Sequence, residues 1–296
     1  MLLQATIAVS LFAMATTLWM GFYLFARGFP NPITFRMVVV LLALSLFFFG
    51  AYNNIFVQVP GTAGIRAVLL VIGLGGWYSL TYRVMSEATQ QRFRWSEWGI
   101  YLMGAASILL LLQPGSFIGE NGNALYVAHM NNSLPYKIYG LYQILISFGI
   151  ILNLLIGDRV GLTSRGKYYL VASIFPVLSV IYGVISLSGK TPAPRIVQDV
   201  LAFTGIFILS LAVARHQIWT ERRSTLQDFP LTTLAVLGLS TFYGFVAWKQ
   251  GMPVQLLSAV VGLAIITLGI YDLTREFLER TRMHNESQFR KQLHQL

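Results

Sequence analysis

The side chains able to do chemistry are few, and they stand at the edges of long apolar runs. The four histidines are His129, His216, His284 and His294. A membrane-bound haem or pigment needs imidazole ligands inside a span. None of these four lies mid-run, so no histidine-ligated pigment is expected. There is no Cys, which removes disulfides, thiolate metal sites and a Cys nucleophile. No Lys lies mid-run to form a retinal Schiff base. Asp and Glu avoid the centres of the runs, where ion-coupled transporters keep carboxylates. No Ser–His or paired-Asp arrangement of an intramembrane protease can be assembled. Neither a phosphate-cradling glycine motif nor a metal-ligand spacing is present. The expectation is a chain that is not an enzyme and holds neither cofactor nor metal.

What remains is a polar, aromatic zone at one end of the apolar runs. Tyr52, Asn53 and Asn54 end the second run. Tyr136, Tyr139, Tyr142 and Gln143 begin the fifth, and Gln198 and Asp199 begin the seventh. Tyr136, Tyr139 and Gln143 fall at i, i+3 and i+7 and so share a helix face. Asn53, Asn54, Tyr136, Tyr139, Gln143 and Asp199 form the candidate ligand set of an outward-facing pocket. The alternative reading is an interfacial belt, since Tyr and Asn are ordinary at membrane–water boundaries. Asp199 would then be an interfacial residue beside Arg195.

The elements that must position these residues follow from composition. Of 296 residues, 55% are hydrophobic and 11% charged, against about 25% charged in a soluble domain. Mean hydropathy is +0.64. A transmembrane helix needs roughly 20 mostly apolar residues. Nine stretches approach or meet this: about 3–26, 36–58, 65–84, 97–113, 136–156, 168–188, 197–216, 229–248 and 253–272. No long period-two alternation appears, so a barrel is excluded and helices are the spanning structure. The first run lacks the positive start of a secretory signal and is read as a retained helix. The longest connection, 114–135, is rich in Gly and Asn and is predicted to lie outside.

The net charge is +10, and its placement is a topology signal. With the N-terminus outside, only Arg66, Lys137, Lys190, Arg195 and Lys249 fall on the outer side, and the other sixteen of 21 Lys and Arg fall inside. Positive charge gathers on cytoplasmic segments. The basic inner segments 86–98 and 215–229 are read as loops against anionic lipid, and nucleic acid is not expected as a partner. The fold class is therefore all-α: a polytopic transmembrane bundle of about nine spans, seven plus a C-terminal hairpin, in a bacterial cytoplasmic membrane. Residues 1–220 form the seven-helix region, 221–272 the hairpin and 273–296 a cytoplasmic helical tail. The tail has no Gly or Pro, and Glu276–Arg280 is a favourable i,i+4 pair. The last span is predicted to continue into it as one helix. Gly73, Gly75 and Gly76 are read as close-packing positions. Pro176 is read as a kink, and Asn153 as an interhelical hydrogen-bond donor.

Gly76-Trp77-Tyr78, the Tyr-rich start from Tyr136 to Tyr142, Ser164-Arg165-Gly166-Lys167 and Ala212-Val213-Ala214-Arg215-His216 accompany a particular layout. The N-terminus is out, the inner loops are short and basic, and a longer outer loop follows the fourth span. Over about 1–220 this layout resembles the seven-transmembrane N-terminal sensor region of bacterial membrane histidine kinases. The resemblance implies a module that senses an external or membrane cue and passes it through an exit helix to a cytoplasmic output domain. Two departures stand out: the added hairpin 229–272, and the lack of a phospho-accepting His box or ATP-binding Gly motif up to Leu296. The expected function is a sensory module without its own catalytic domain. It would work with a cytoplasmic signalling partner and could pair as a homodimer. An accessory subunit of a larger membrane complex and a transporter are the alternatives.

Overall fold

The computed structural model describes residues 2–28, 31–56, 62–113, 134–157, 164–187, 194–221 and 253–293, with a few positions between 236 and 249. Every regular element among them is helical. In order they are α1 (Leu2–Gly28), α2 (Pro32–Phe56), α3 (Thr62–Val84), α4 (Glu87–Arg92), α5 (Arg94–Leu111), α6 (Leu134–Gly157), α7 (Ser164–Leu187), α8 (Arg195–Glu221) and α9 (Val254–Leu293). Most of the predicted eighth span, 229–248, and the connection 114–133 lie outside the described residues.

Local sequence sets the helix starts. Asn31 caps α2, its Oδ1 accepting from the Ile33 N–H at 2.9 Å. Pro32 then occupies the first helical position, where its missing N–H costs nothing. Ser86 caps the short α4 by accepting from the Thr89 N–H. The segment 86–98, predicted as a loop, is thus largely helical. α5 begins at Arg94, so Trp95 and Trp98 sit in its first turns and are exposed.

Five described helices are long and apolar enough to cross a membrane: Leu2–Arg27, Pro32–Phe56, Gly64–Arg83, Lys137–Ile156 and Leu256–Arg275. Leu170–Ser186 is a shorter apolar helix. Their apolar residues point both inward and outward. On α6, Tyr142, Ile146 and Ile150 are buried, while Leu141, Phe148, Leu152 and Leu155 are exposed. Such a surface is far more apolar than a water-facing protein tolerates. It is the architecture of a multi-pass membrane protein, with helices that satisfy their own backbone hydrogen bonds.

The bundle centres on α1, α2 and α3. α1 packs on α2, α8 and α9, while α3 packs on α2, α5 and α6. α7 packs on α6 and α8. Trp77, Tyr52, Tyr142 and Phe48 are the largest fully buried side chains. Small residues permit the close crossings. A Cβ at Gly76 would fall 2.8 Å from Val40 Cγ2 on α2. One at Gly205 would fall 2.4 Å from Pro176 Cδ and 2.8 Å from the Ala172 carbonyl oxygen. Pro176 therefore lies at the α7–α8 crossing, inside an α7 that remains one helix.

Few polar links cross the core. Trp77 Nε1 donates to Ser173 Oγ at 3.2 Å, tying α3 to α7. Asn153 Nδ2 donates to Thr81 Oγ1 at 3.3 Å, the interhelical bond predicted for it. Most buried hydroxyls bond back to their own helix, as Thr17 does to the Ala13 carbonyl.

Candidate functional site

Arg66, Tyr139, Gln143, Arg195 and Asp199 meet at one end of the bundle, called here the distal end. Each is placed by the first turns of its helix: α3 for Arg66, α6 for Tyr139 and Gln143, and α8 for Arg195 and Asp199. Tyr139 and Gln143 are one turn apart and both buried. Arg195 and Asp199 are also one turn apart, with Nε 3.3 Å from Oδ2. Their side chains are only 3% and 1% exposed. Arg66 completes the group from α3 and is electrostatically coupled to Arg195, Asp199 and Tyr139.

Arg66 is held by its stem and its face. The guanidinium carbon lies 5.0 Å from the centroid of the Phe47 ring, a cation–π arrangement. Its aliphatic stem crosses Gly50, where an added Cβ would come within 3.1 Å of Arg66 Cγ. Glycine at position 50 thus lets the arginine lie flat against α2.

Among the described residues two guanidiniums therefore lie near one carboxylate, a net positive group in which Arg195 and Asp199 are buried and Arg66 is half-buried with its Nε shielded from solvent. The Arg66 Nε, all three Arg195 nitrogens and both Asp199 oxygens make no hydrogen bond among the described residues. Buried polar groups normally find partners, and a buried charge without full pairing is costly. Ionisable groups inside a membrane protein mark functional positions by default. Chemically the cluster can accept a small anion, whose oxygens would meet the free guanidinium N–H groups.

The candidate ligand set is only partly assembled here. Tyr139, Gln143 and Asp199 are brought together. Asn53 lies at the end of α2, half-buried, with its Nδ2 donating to the Phe49 carbonyl at 2.9 Å. Its Oδ1 accepts from Ser258 Oγ on α9 at 3.5 Å, so its tie is to the last helix. Asn54 is half-buried beside it. Tyr136 belongs to α6, and its side chain lies outside the described residues. Tyr142 donates to the Val71 carbonyl at 3.0 Å and serves packing. Arg66 and Arg195 were missing from the predicted set because outer charges were read as topology signals. The available sign was position: Arg66 falls near the start of a long apolar run with Gly50 and Phe47 opposite.

Among the described residues no cluster of His, Cys, Asp or Glu could hold a metal ion. No family model, curated protein sequence or solved structure matches the chain.

Proposed function

We propose that the chain is a sensory membrane module that takes a small anionic ligand between Arg66 and Arg195 and passes the event to α9. The observation that carries this reading is the net-positive Arg66–Arg195–Asp199 cluster, whose Arg195–Asp199 pair is buried and whose Arg66 Nε and Arg195 N–H groups make no hydrogen bond among the described residues. Tyr139 and Gln143 would supply neutral hydrogen bonds to the same anion. Ligand charge would balance the cluster and change how α3, α6 and α8 pack at the distal end. α9 is the physical output. It starts beside Asn53 and runs unbroken for 40 residues to Leu293, roughly 60 Å at 1.5 Å per residue. Such a change needs two packings close in energy.

The proposed orientation puts the distal end outside and the C-terminal part of α9 in the cytoplasm of a bacterial cell. Support for nine spans is topological. α8 and α9 both begin at the distal end, beside Arg66 and Asn53, and α8 runs 27 residues away from it; the return from the far end of α8 to the start of α9 then takes an odd number of crossings, as the 229–248 span would supply. The partner would be a cytoplasmic signalling domain, or a second copy meeting through α9. The test uses the full chain in detergent, titrated with acetate, succinate and inorganic phosphate while thermal unfolding is followed. One of these anions should stabilise the wild-type chain, and the gain should vanish in Arg66→Gln and in Tyr139→Phe/Gln143→Leu. Equal stabilisation of all variants, or of none including wild type, overturns the anion site.

A second reading, an accessory subunit of a larger membrane complex, is favoured by one observation. α9 is the least covered of the five apolar helices, with Leu256, Leu263, Ile266, Ile270 and Tyr271 outward. A partner helix on that stripe would co-purify stoichiometrically in mild detergent.

A further inference from the structure

A second site lies at the opposite end of the bundle, where no candidate residue was expected. α3 packs on both α2 and α5, and a groove opens between those two outer walls. Phe35 and Val39 of α2 form one wall, and Ile100, Ala105 and Ile108 of α5 form the other. Val71, Ile72, Gly75 and Gly76 of α3 make the floor, and Tyr142 of α6 closes the deep end. The cavity measures about 370 Å³ and its lining is mainly apolar. From Ser79 to Val71 it follows α3 for eight residues, roughly 12 Å, most of the ~15 Å depth of one hydrocarbon leaflet.

A polar vestibule of about 540 Å³ adjoins the groove, and Arg36 and Tyr101 line both. The vestibule is formed by the end of α3, by α4 and by the start of α5. It holds three arginines, Arg36, Arg83 and Arg94, against two carboxylates, Glu87 and Glu97. Glu97 is already engaged: Ser79 Oγ donates to it at 3.1 Å, Tyr101 Oη at 3.2 Å, and Arg83 lies 3.9 Å away. Arg36 Nε donates to Ser79 Oγ at 2.8 Å, which fixes Arg36 at the junction. Arg94 is exposed and has no ion pair among the described residues. The vestibule is therefore positive toward solvent, with Gln90 and Gln91 as added hydrogen-bonding groups.

A charged mouth joined to an apolar slot of leaflet depth fits one kind of molecule. We infer that this groove is a binding site for an anionic phospholipid, with its phosphate among Arg36, Arg83 and Arg94 and one acyl chain along α3 between α2 and α5. The headgroup would come from the leaflet on the Arg36 side, where basic residues beside anionic lipid each contribute attraction. The site rests on the membrane reading of the chain and not on the distal anion cluster. Its consequence is local: a lipid wedged between α2 and α5 would steady the α3 register and the α4 turn.

The test is photolabelling of the intact chain in phosphatidylcholine nanodiscs. The probe is a minor fraction of phosphatidylglycerol with a diazirine in its acyl chain. Labelling should concentrate on the peptides bearing Ile72 and Ile108. Unlabelled phosphatidylglycerol should compete, while inorganic phosphate should not. Arg83→Gln/Arg94→Gln should lower the labelling roughly 30-fold, the combined effect of two juxtamembrane arginines. Ala105→Phe, which fills the slot, should reduce it at Ile108 with the headgroup residues intact. Labelling equal to that at the exposed Phe148 of α6, equal labelling by a phosphatidylcholine probe, or competition by phosphate alone overturns the proposal. The wild-type labelling pattern decides between these outcomes even where a variant does not fold.

Discussion

Asp199→Asn is the sharpest probe of the distal cluster. The substitution keeps size and shape but removes the one carboxylate near Arg66 and Arg195 among the described residues. At the observed 3.3 Å from Arg195 Nε to Asp199 Oδ2, the lost attraction is ~5 kcal/mol for an effective dielectric near 20. Breaking a buried pair by removing one partner typically costs ~3–5 kcal/mol, because an uncompensated charge stays behind. Both routes give the same scale, and the residual Arg66–Arg195 repulsion acts in the same direction. The assay is equilibrium unfolding in mixed micelles of rising SDS fraction, followed by helix content. Asp199→Asn should lose ~3–5 kcal/mol. Asp199→Asn/Arg195→Gln, which restores the wild-type charge, should recover to within ~2 kcal/mol. Added salt should change these values little, since buried pairs are weakly screened. A single variant within ~0.5 kcal/mol of wild type would refute the reasoning. It would mean that the cluster is solvated and its charges are not in contact.

The remaining predictions address packing and topology. Gly205→Val should cost ~1–3 kcal/mol in the same unfolding assay, because its Cβ meets Pro176 and the Ala172 carbonyl. Gly140→Ala, with nothing within 4 Å of the new Cβ, should stay within ~0.5 kcal/mol. Gly269→Leu should push α9 away from α1, since its Cβ would lie 2.5 Å from Phe22 Cγ. Spin-label distances between the two helices, on introduced cysteines, should lengthen and return with Phe22→Ala. Asn153→Leu should cost ~0.6 kcal/mol, the average interhelical hydrogen bond in a membrane, and adding Thr81→Val should cost no more. Reporter fusions at Lys190 and Arg223 should report opposite compartments; the same compartment for both would end the nine-span arrangement.

Much of the architecture was legible from composition and spacing. Five of the predicted spans coincide with described apolar helices, because an unbroken apolar run of sufficient length has only one backbone solution in lipid. That the last span continues unbroken to Leu293 was readable from a tail, Asp272 onward, of good helix formers without Gly or Pro. Gly76 and Asn153 were read correctly, since small and amide side chains in apolar runs have few uses other than close crossing and interhelical bonding. The segment around α4 was misread, because a six-residue helix held by one Ser cap leaves no periodic signal. The shared face of Tyr139 and Gln143 was readable from the helical repeat alone, and so was the nearness of Asp199 to the same depth. Charge sign and depth depend on position along one helix, and sequence records that directly.

Which helices meet at a given depth is a different quantity. Arg66, Arg195 and Asp199 come together only because α3, α6 and α8 share an end of the bundle. Linear spacing cannot show that the arginine near the start of α3 lies over Phe47 and Gly50. The groove between α2 and α5 is likewise absent from any single run. It exists because α3 packs on both neighbours while those neighbours stay apart. Apolar run length and helical phase are local properties of the chain, so the sequence determined the spans and their faces. Lateral choice of neighbours is a sum over many weak contacts between distant segments, and only the tertiary structure decided it.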